Sequence, residues 1–136
     1  MMCKRGDVYY VDFGQNTDSC VQCGIRPALV VSNNRANASS PVITVIPLTA
    51  RTYKRRSIPT HVLVPKSSGS GLSKNSMALA EQVCTIDKSS LMEKKGSVTS
   101  AQVMAAVTRA LQIQIGAVEK YNCCLLYTSD AADEAR

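Results

Sequence analysis

The 136-residue sequence predicts a mainly β (α+β) domain: a small, curled antiparallel sheet or barrel of about five to seven strands with a C-terminal α-helix. Three observations carry this reading. Short apolar runs rich in Val and Ile recur along the chain, each bounded by turn residues. One segment alone, near the C-terminus, repeats apolar residues at helical spacing. Apolar residues make up 45% of the chain and aromatics 4%, so the core is built of Val, Ile, Leu and Ala. A chain of this length fits one domain with one modest core.

The elements follow in order. Asp7 to Phe13 (DVYYVDF) is β-rich and starts after a glycine, so it reads as a strand. Gly14 to Gly24 is a polar loop of about a dozen residues, long enough to suspect function. Ala28 to Ser32 (ALVVS) is a continuous apolar run, hence a buried strand. Asn33 to Pro41 (NNRANASSP) is turn chemistry. Val42 to Leu48 (VITVIPL) is a third strand, expected to bulge or reach an edge at Pro47, which lacks a ladder donor. Residues 49–60 (TARTYKRRSIPT) form a basic loop holding Arg51, Lys54, Arg55 and Arg56 beside Tyr53. His61 to Val64 is a fourth strand and Lys66 to Asn75 (KSSGSGLSKN) a Gly/Ser loop. Ser76 to Val83 reads as a fifth strand, although its Ala, Leu and Met suit a helix equally, and Thr85 to Leu91 as a turn or short helical piece. The helix spans Ser100 to Val118. Thr99 and Gln102 form its capping box, and Val103, Val107, Leu111, Ile115 and Val118 its apolar stripe.

The chain divides into a domain at 1–122 and a foreign tail at 123–136. One back-translation of Cys124 to Asp133, TGT-CTC-TTA-TAC-ACA-TCT-GAC-GCT-GCC-GAC, resembles the transposase adapter used in sequencing libraries. Such a segment is set aside from fold reasoning. The whole chain carries 16 basic and 10 acidic residues, +6; without the tail it carries 15 and 7, or +8. A basic balance favours a polyanionic partner. No apolar run reaches the length of a membrane span, and MMCKRGDVYY has no signal-peptide core, so the expectation is a cytoplasmic protein with no membrane partner. In that reducing setting the cysteines are thiols.

Cys20 and Cys23 form a Cys-x-x-Cys, but zinc needs four ligands and Cys3, Cys84 and His61 are scattered singly. The pair precedes a strand, whereas a thioredoxin-type motif opens a helix. No metal site and no cofactor is expected. Gly24-Ile25-Arg26-Pro27 is the stronger signal. Proline pushes Arg26 into extended geometry where a loop enters a buried strand, and Gly24 permits a sharp approach. A guanidinium so held suits two phosphate oxygens; the structural alternative is an ion pair with Asp7, Asp12 or Glu81. Thr49 ends the third strand, where it either points at the same mouth or caps a turn. With one histidine, His61, two-histidine cleavage of RNA is excluded for a single chain. Glu81 and Gln82 are adjacent on a strand and face opposite ways, so at most one serves a site.

These stretches resemble the MazF/PemK family of toxin endoribonucleases of type II toxin–antitoxin systems. The matching pieces are KRGDVYYVDF (4–13), QCGIRPALVVSN (22–33), TVIPLT (44–49), PTHV (59–62) and AEQVCTIDK (80–88), in family order. The resemblance implies an SH3-like, CcdB-like barrel acting as a homodimer. It implies metal-independent cleavage of single-stranded RNA at short motifs, leaving 2′,3′-cyclic phosphate and 5′-hydroxyl ends. It makes Arg26 and Thr49 the catalytic pair, and Gln22, Gly24, Gln82 and the 51–56 loop RNA contacts. It also implies a cognate antitoxin (MazE-like) whose acidic, disordered tail crosses the dimer groove. Two departures stand out. The family's Gly-Ser-Glu-Gln-Gly-Gly loop reads Ser19-Cys20-Val21-Gln22-Cys23-Gly24 here, and Cys84 replaces an arginine often found there. The alternatives are a non-catalytic toxin similar to CcdB, which binds DNA gyrase, and an RNA-binding module without cleavage.

Overall fold

The computed structural model describes residues 2–14, 23–51 and 58–119. Seven strands and two α-helices lie among them: β1 (Asp7–Asp12), β2 (Ile25–Val30), α1 (Asn34–Ser39), β3 (Val42–Thr49), β4 (His61–Val64), β5 (Ser76–Leu79), β6 (Cys84–Asp87), β7 (Leu91–Ser97) and α2 (Ala101–Gln114). One-turn 3-10 helices occupy Lys66–Ser68, Ala80–Gln82 and Lys88–Ser90. The strand order is β4-β5-β3-β2-β1-β7, with β6 also on β3, and the pairings are antiparallel.

The continuous apolar runs arise because the central strands are buried on both faces. Val8, Leu29, Ile46 and Leu48 enter one core with Val64, Ala78, Val107 and Ala110. Their strand neighbours Tyr9, Val11, Ala28, Val30, Ile43 and Val45 enter a second with Cys3 and Leu91. Successive side chains of one strand thus feed opposite cores, as the pleat requires. Helix α2 covers the first core, packing on β4 and the Ala80–Gln82 turn.

The sheet closes through the segment after β4, which reaches back to β7 at the other end of the strand order. Ser97 N donates to Gly69 O at 2.9 Å and Thr99 N to Ser68 O at 2.9 Å. Backbone meets backbone here. A Cβ on Gly71 would lie 1.8 Å from the Lys95 carbonyl oxygen. Asp7 anchors the same seam: its carboxylate accepts from Lys4 N at 2.9 Å and Ser97 Oγ at 2.6 Å, with Lys94 Nζ at 3.6 Å.

Several elements depart from the sequence reading. Residues 33–41 hold a short helix rather than turns alone, because Asn33 accepts from Ala36 N at 2.8 Å and buried Asn37 donates to Ser32 O at 2.9 Å. Pro47 makes no bulge but falls at a local gap on one side of the ladder. It is buried within β3, where the strand passes from β6 (through Val45) to β5 (from Leu48). The fifth strand stops at Leu79, so Glu81 and Gln82 sit on a 3-10 turn and do not alternate across a sheet. Thr85 to Leu91, read as a turn or short helical piece, holds most of β6 and then the one-turn helix Lys88–Ser90, with β7 beginning at Leu91. The cap of α2 is Ser100, whose side chain accepts from Val103 N at 3.2 Å, and the helix ends at Gln114. Of the stripe, Val107 is fully buried and Val103 and Leu111 pack on the core, while Ile115 is 73% exposed beyond the helix end. The segment 123–136, read from the sequence as a foreign tail, lies outside the described residues.

Candidate active site

Two hairpin-related strands bring the leading candidates together. β2 pairs with β3 with Ala28 opposite Pro47. Continuing that register two residues places Arg26 across from Thr49. Both line one cleft of about 310 Å³, whose walls also include Tyr10, Leu72, Lys74 and Lys95.

Arg26 is half-buried at the start of β2, and its Nε donates to Cys23 O at 2.8 Å. That bond fixes the guanidinium plane and leaves the terminal nitrogens to face a ligand. The three carboxylates considered as its partners are engaged elsewhere. Asp7 holds the β1–β7 seam. Asp12 accepts from Gly14 N at 2.9 Å. Glu81 accepts from Thr60 Oγ1 at 2.9 Å and lies 2.6 Å from His61 Nε2. The His61 side chain, 1% exposed, is thus part of a structural network.

Thr49 is buried at the end of β3, and its Oγ1 accepts from Arg51 N at 3.2 Å. With that acceptor role filled by the backbone, the hydroxyl proton remains available to an anionic oxygen in the cleft. It therefore both caps the turn and faces the mouth, the two readings that the sequence left open. The described cleft walls hold three cations, Arg26, Lys74 and Lys95, and no carboxylate. Such a surface is chemically suited to phosphate.

The other predicted positions divide. Arg51 is exposed directly beyond Thr49. Gly24 is half-buried and extends the β1–β2 pairing, accepting from Phe13 N at 2.9 Å and donating to Gly14 O at 2.6 Å. Gln82 is half-buried on the Ala80–Gln82 turn and is not among the cleft walls. Gln22, Lys54, Arg55 and Arg56 lie outside the described residues, as does Cys20. Among the described residues no three His, Cys, Asp or Glu side chains gather into a metal-binding group. Burial on β6 pushes the Cys84 thiol above its usual range. The sequence reading missed Tyr10, Leu72, Lys74 and Lys95. Only Gly96, an isolated glycine after Lys94-Lys95, hinted at a close approach in that region.

Comparison with known proteins places this geometry in context. A family model described as the PemK-like, MazF-like toxin of type II toxin–antitoxin systems matches residues 4–115. The chain is 40% identical over 115 residues to the endoribonuclease MazF of Staphylococcus saprophyticus, covering 85% of this chain and 92% of that protein. It is 37% identical over 119 residues to the endoribonuclease EndoA of Bacillus subtilis, covering 88% and 99%. Among solved structures, a mycobacterial endoribonuclease in complex with its cognate antitoxin superposes with a TM-score of 0.67 at 30% identity, covering 84% of this chain and 95% of that one. MazF from Deinococcus radiodurans gives 0.69 at 26% identity, covering 85% and 98%.

Proposed function

This chain belongs to the PemK/MazF family of toxins, and from that premise we propose how it acts: as an endoribonuclease that cleaves single-stranded RNA by internal attack. The ribose 2′-oxygen forms a bond to the adjacent phosphorus, the bond to the 5′-oxygen breaks, the 2′-proton passes to water and the departing oxygen takes one from water. The products are a 2′,3′-cyclic phosphate and a 5′-hydroxyl. The requirement for a 2′-hydroxyl selects RNA over DNA.

The observation that supports this most directly is the pairing of Arg26 with Thr49 in one cation-lined cleft. Arg26, its plane held through Cys23 O, offers its terminal N–H groups to the phosphate as negative charge grows and hydrogen-bonds the leaving oxygen. Thr49, already accepting from Arg51 N, donates its hydroxyl proton to a non-bridging oxygen and fixes the phosphate for in-line attack. These two act by positioning and electrostatics; neither needs a metal or cofactor for that role. Gln22, Gly24, Arg51, Lys54, Arg55, Arg56 and Gln82 contribute RNA contacts around this centre.

The reading extends to partners. The toxin works in the cytoplasm as a homodimer, and its basic charge steers a MazE-like antitoxin with an acidic, disordered tail onto the RNA groove. Among the described residues no helix is long and apolar enough to cross a membrane. Residues 123–136 are foreign to the functional domain at 1–122.

The test maps cleavage ends on a long, unstructured RNA incubated with the full chain in EDTA, beside Arg26→Ala and Thr49→Val. Discrete cuts with cyclic phosphate ends, reduced about 10²- to 10³-fold in Arg26→Ala, are the expected result. RNA left intact by a folded protein, or cuts indifferent to Arg26, overturns the reading in favour of a binding toxin.

A further inference from the structure

The strand pairing singles out a residue that the reaction above does not use. Val8 of β1 lies opposite Gly96 of β7, and Tyr9 opposite Lys94. Two consecutive residues of β1 therefore span three of β7, and Lys95 has no partner across the ladder. This is a β-bulge, a device that re-aims a side chain and recurs beside active sites.

The bulge residue is built into the cleft. Its Nζ sits 5.5 Å from the centroid of the Tyr10 ring, within cation–π range. Its side chain is 28% exposed, and Gly71 presses on its carbonyl from the opposite loop. Among the described residues it pairs with Glu93, 3.9 Å away and 72% exposed, a weak, solvent-screened pair. Tyr10 and Lys95 line the same cleft as Arg26 and Thr49, and Lys74 enters it from the loop that Gly71 anchors. One scissile phosphate carries one negative charge, whereas the cleft presents three cations. Arg26 and Thr49 suffice for that phosphate, so Lys95 and Lys74 have an anion of their own to meet.

We propose that Lys95, aimed by the bulge and seated on Tyr10, forms with Lys74 a second phosphate subsite that holds a neighbouring phosphodiester of the RNA strand. This rests on the nuclease reading for the identity of the ligand. Lys95 is then a positioning and binding residue: it acts on substrate register and affinity and leaves the chemistry at the scissile phosphate to Arg26 and Thr49.

The test compares the full chain with Lys95→Met, Lys95→Gln, Lys95→Arg and a matched charge removal outside the cleft, Lys66→Met, after thermal melts confirm that each is folded. Binding of a fluorescein-labelled, mixed-sequence single-stranded RNA is followed over a range of salt, together with steady-state cleavage. Lys95→Met and Lys95→Gln are expected to raise KM about tenfold, to change kcat by less than about twofold, and to make the slope of log Kd against log salt shallower by about 0.7, one single-strand phosphate contact. Lys95→Arg restores both slope and KM; Lys66→Met leaves them near wild type. A Lys95→Met slope and affinity equal to those of Lys66→Met overturns the subsite, as does a loss confined to kcat. If the wild-type chain cleaves no RNA, the nuclease reading fails, and the salt slope of binding still decides for or against Lys95.

Discussion

Gly71→Ala isolates the contact that closes the sheet and carries Lys74 to the cleft. Gly71 has φ +77°, and so does Gly24. The two differ in their surroundings: an added Cβ meets the Lys95 carbonyl oxygen at 1.8 Å in the first and nothing within 4 Å in the second. Both substitutions place alanine in the left-handed region, at about 1–2 kcal/mol. At Gly71 the loop must also withdraw from β7 by well over 1 Å to reach ordinary contact. That lengthens the Ser97 N to Gly69 O and Thr99 N to Ser68 O hydrogen bonds from 2.9 Å beyond bonding range, at about 1 kcal/mol each. The expected cost is about 3–4 kcal/mol for Gly71→Ala and about 1–2 kcal/mol for Gly24→Ala, against a total stability on the order of 5–15 kcal/mol. At about 4 °C per kcal/mol for a domain of this size, the two melting temperatures should differ by about 8 °C. Differential scanning calorimetry on both variants reads this directly. Melting points within about 2 °C of one another would show that the loop does not bear on β7 as described, and the closure of the sheet would need another explanation.

Two further outcomes follow from the local geometry. Ser100→Ala should lower stability by about 1 kcal/mol through loss of the Val103 N hydrogen bond, while Thr99→Ala, whose hydroxyl reaches only the Ser68 carbonyl at 3.4 Å, should cost less; urea unfolding of the pair decides which residue caps α2. Cys84, its thiol pushed above the usual 9.0 by burial, stays protonated in the fold after the unfolded chain has begun to ionise. Its contribution to stability is therefore complete below about pH 9 and is lost as pH rises through the folded value. Cys84→Ala should show a shallower alkaline decline in melting temperature, and superimposable pH profiles would dismiss the thiol as its cause.

Strands whose own side chains are buried were legible in the sequence; strands made by their neighbours were not. DVYYVD, VITVIPLT and HVLV carry the β-branched and aromatic residues that a pleated, packed surface selects. β7 reads LMEKKGS, with Met92, Glu93 and Lys94 exposed, and its extended form comes from pairing with β1 and from the Asp7 anchor. β6 is only four residues long, too short to announce itself, and is held by its pairing with β3 and by Cys84 and Ile86 packing on the second core. The short helix after Asn33 likewise escapes a reading in which Asn and Ser mean turns, because its stability rests on a buried Asn37 that the chain's own pattern does not mark.

The same distinction separates the two halves of the candidate site. Arg26 and Thr49 sit at the ends of two strands that announce themselves, and a short antiparallel pair needs only its register to bring such ends together. Their juxtaposition is therefore local information. Lys95 reaches the cleft through three nonlocal conditions at once: a bulge against β1, a ring from β1 beneath its ammonium, and a glycine loop from beyond β4 pressing on its carbonyl. None of these is visible within any short window of sequence. A cation placed in this way is tied to the closure of the whole sheet, so loosening the loop at Gly71 should weaken RNA affinity together with stability. A change at Arg26 should instead cut cleavage about 10²- to 10³-fold while costing the fold little more than its hydrogen bond to Cys23 O, about 1 kcal/mol.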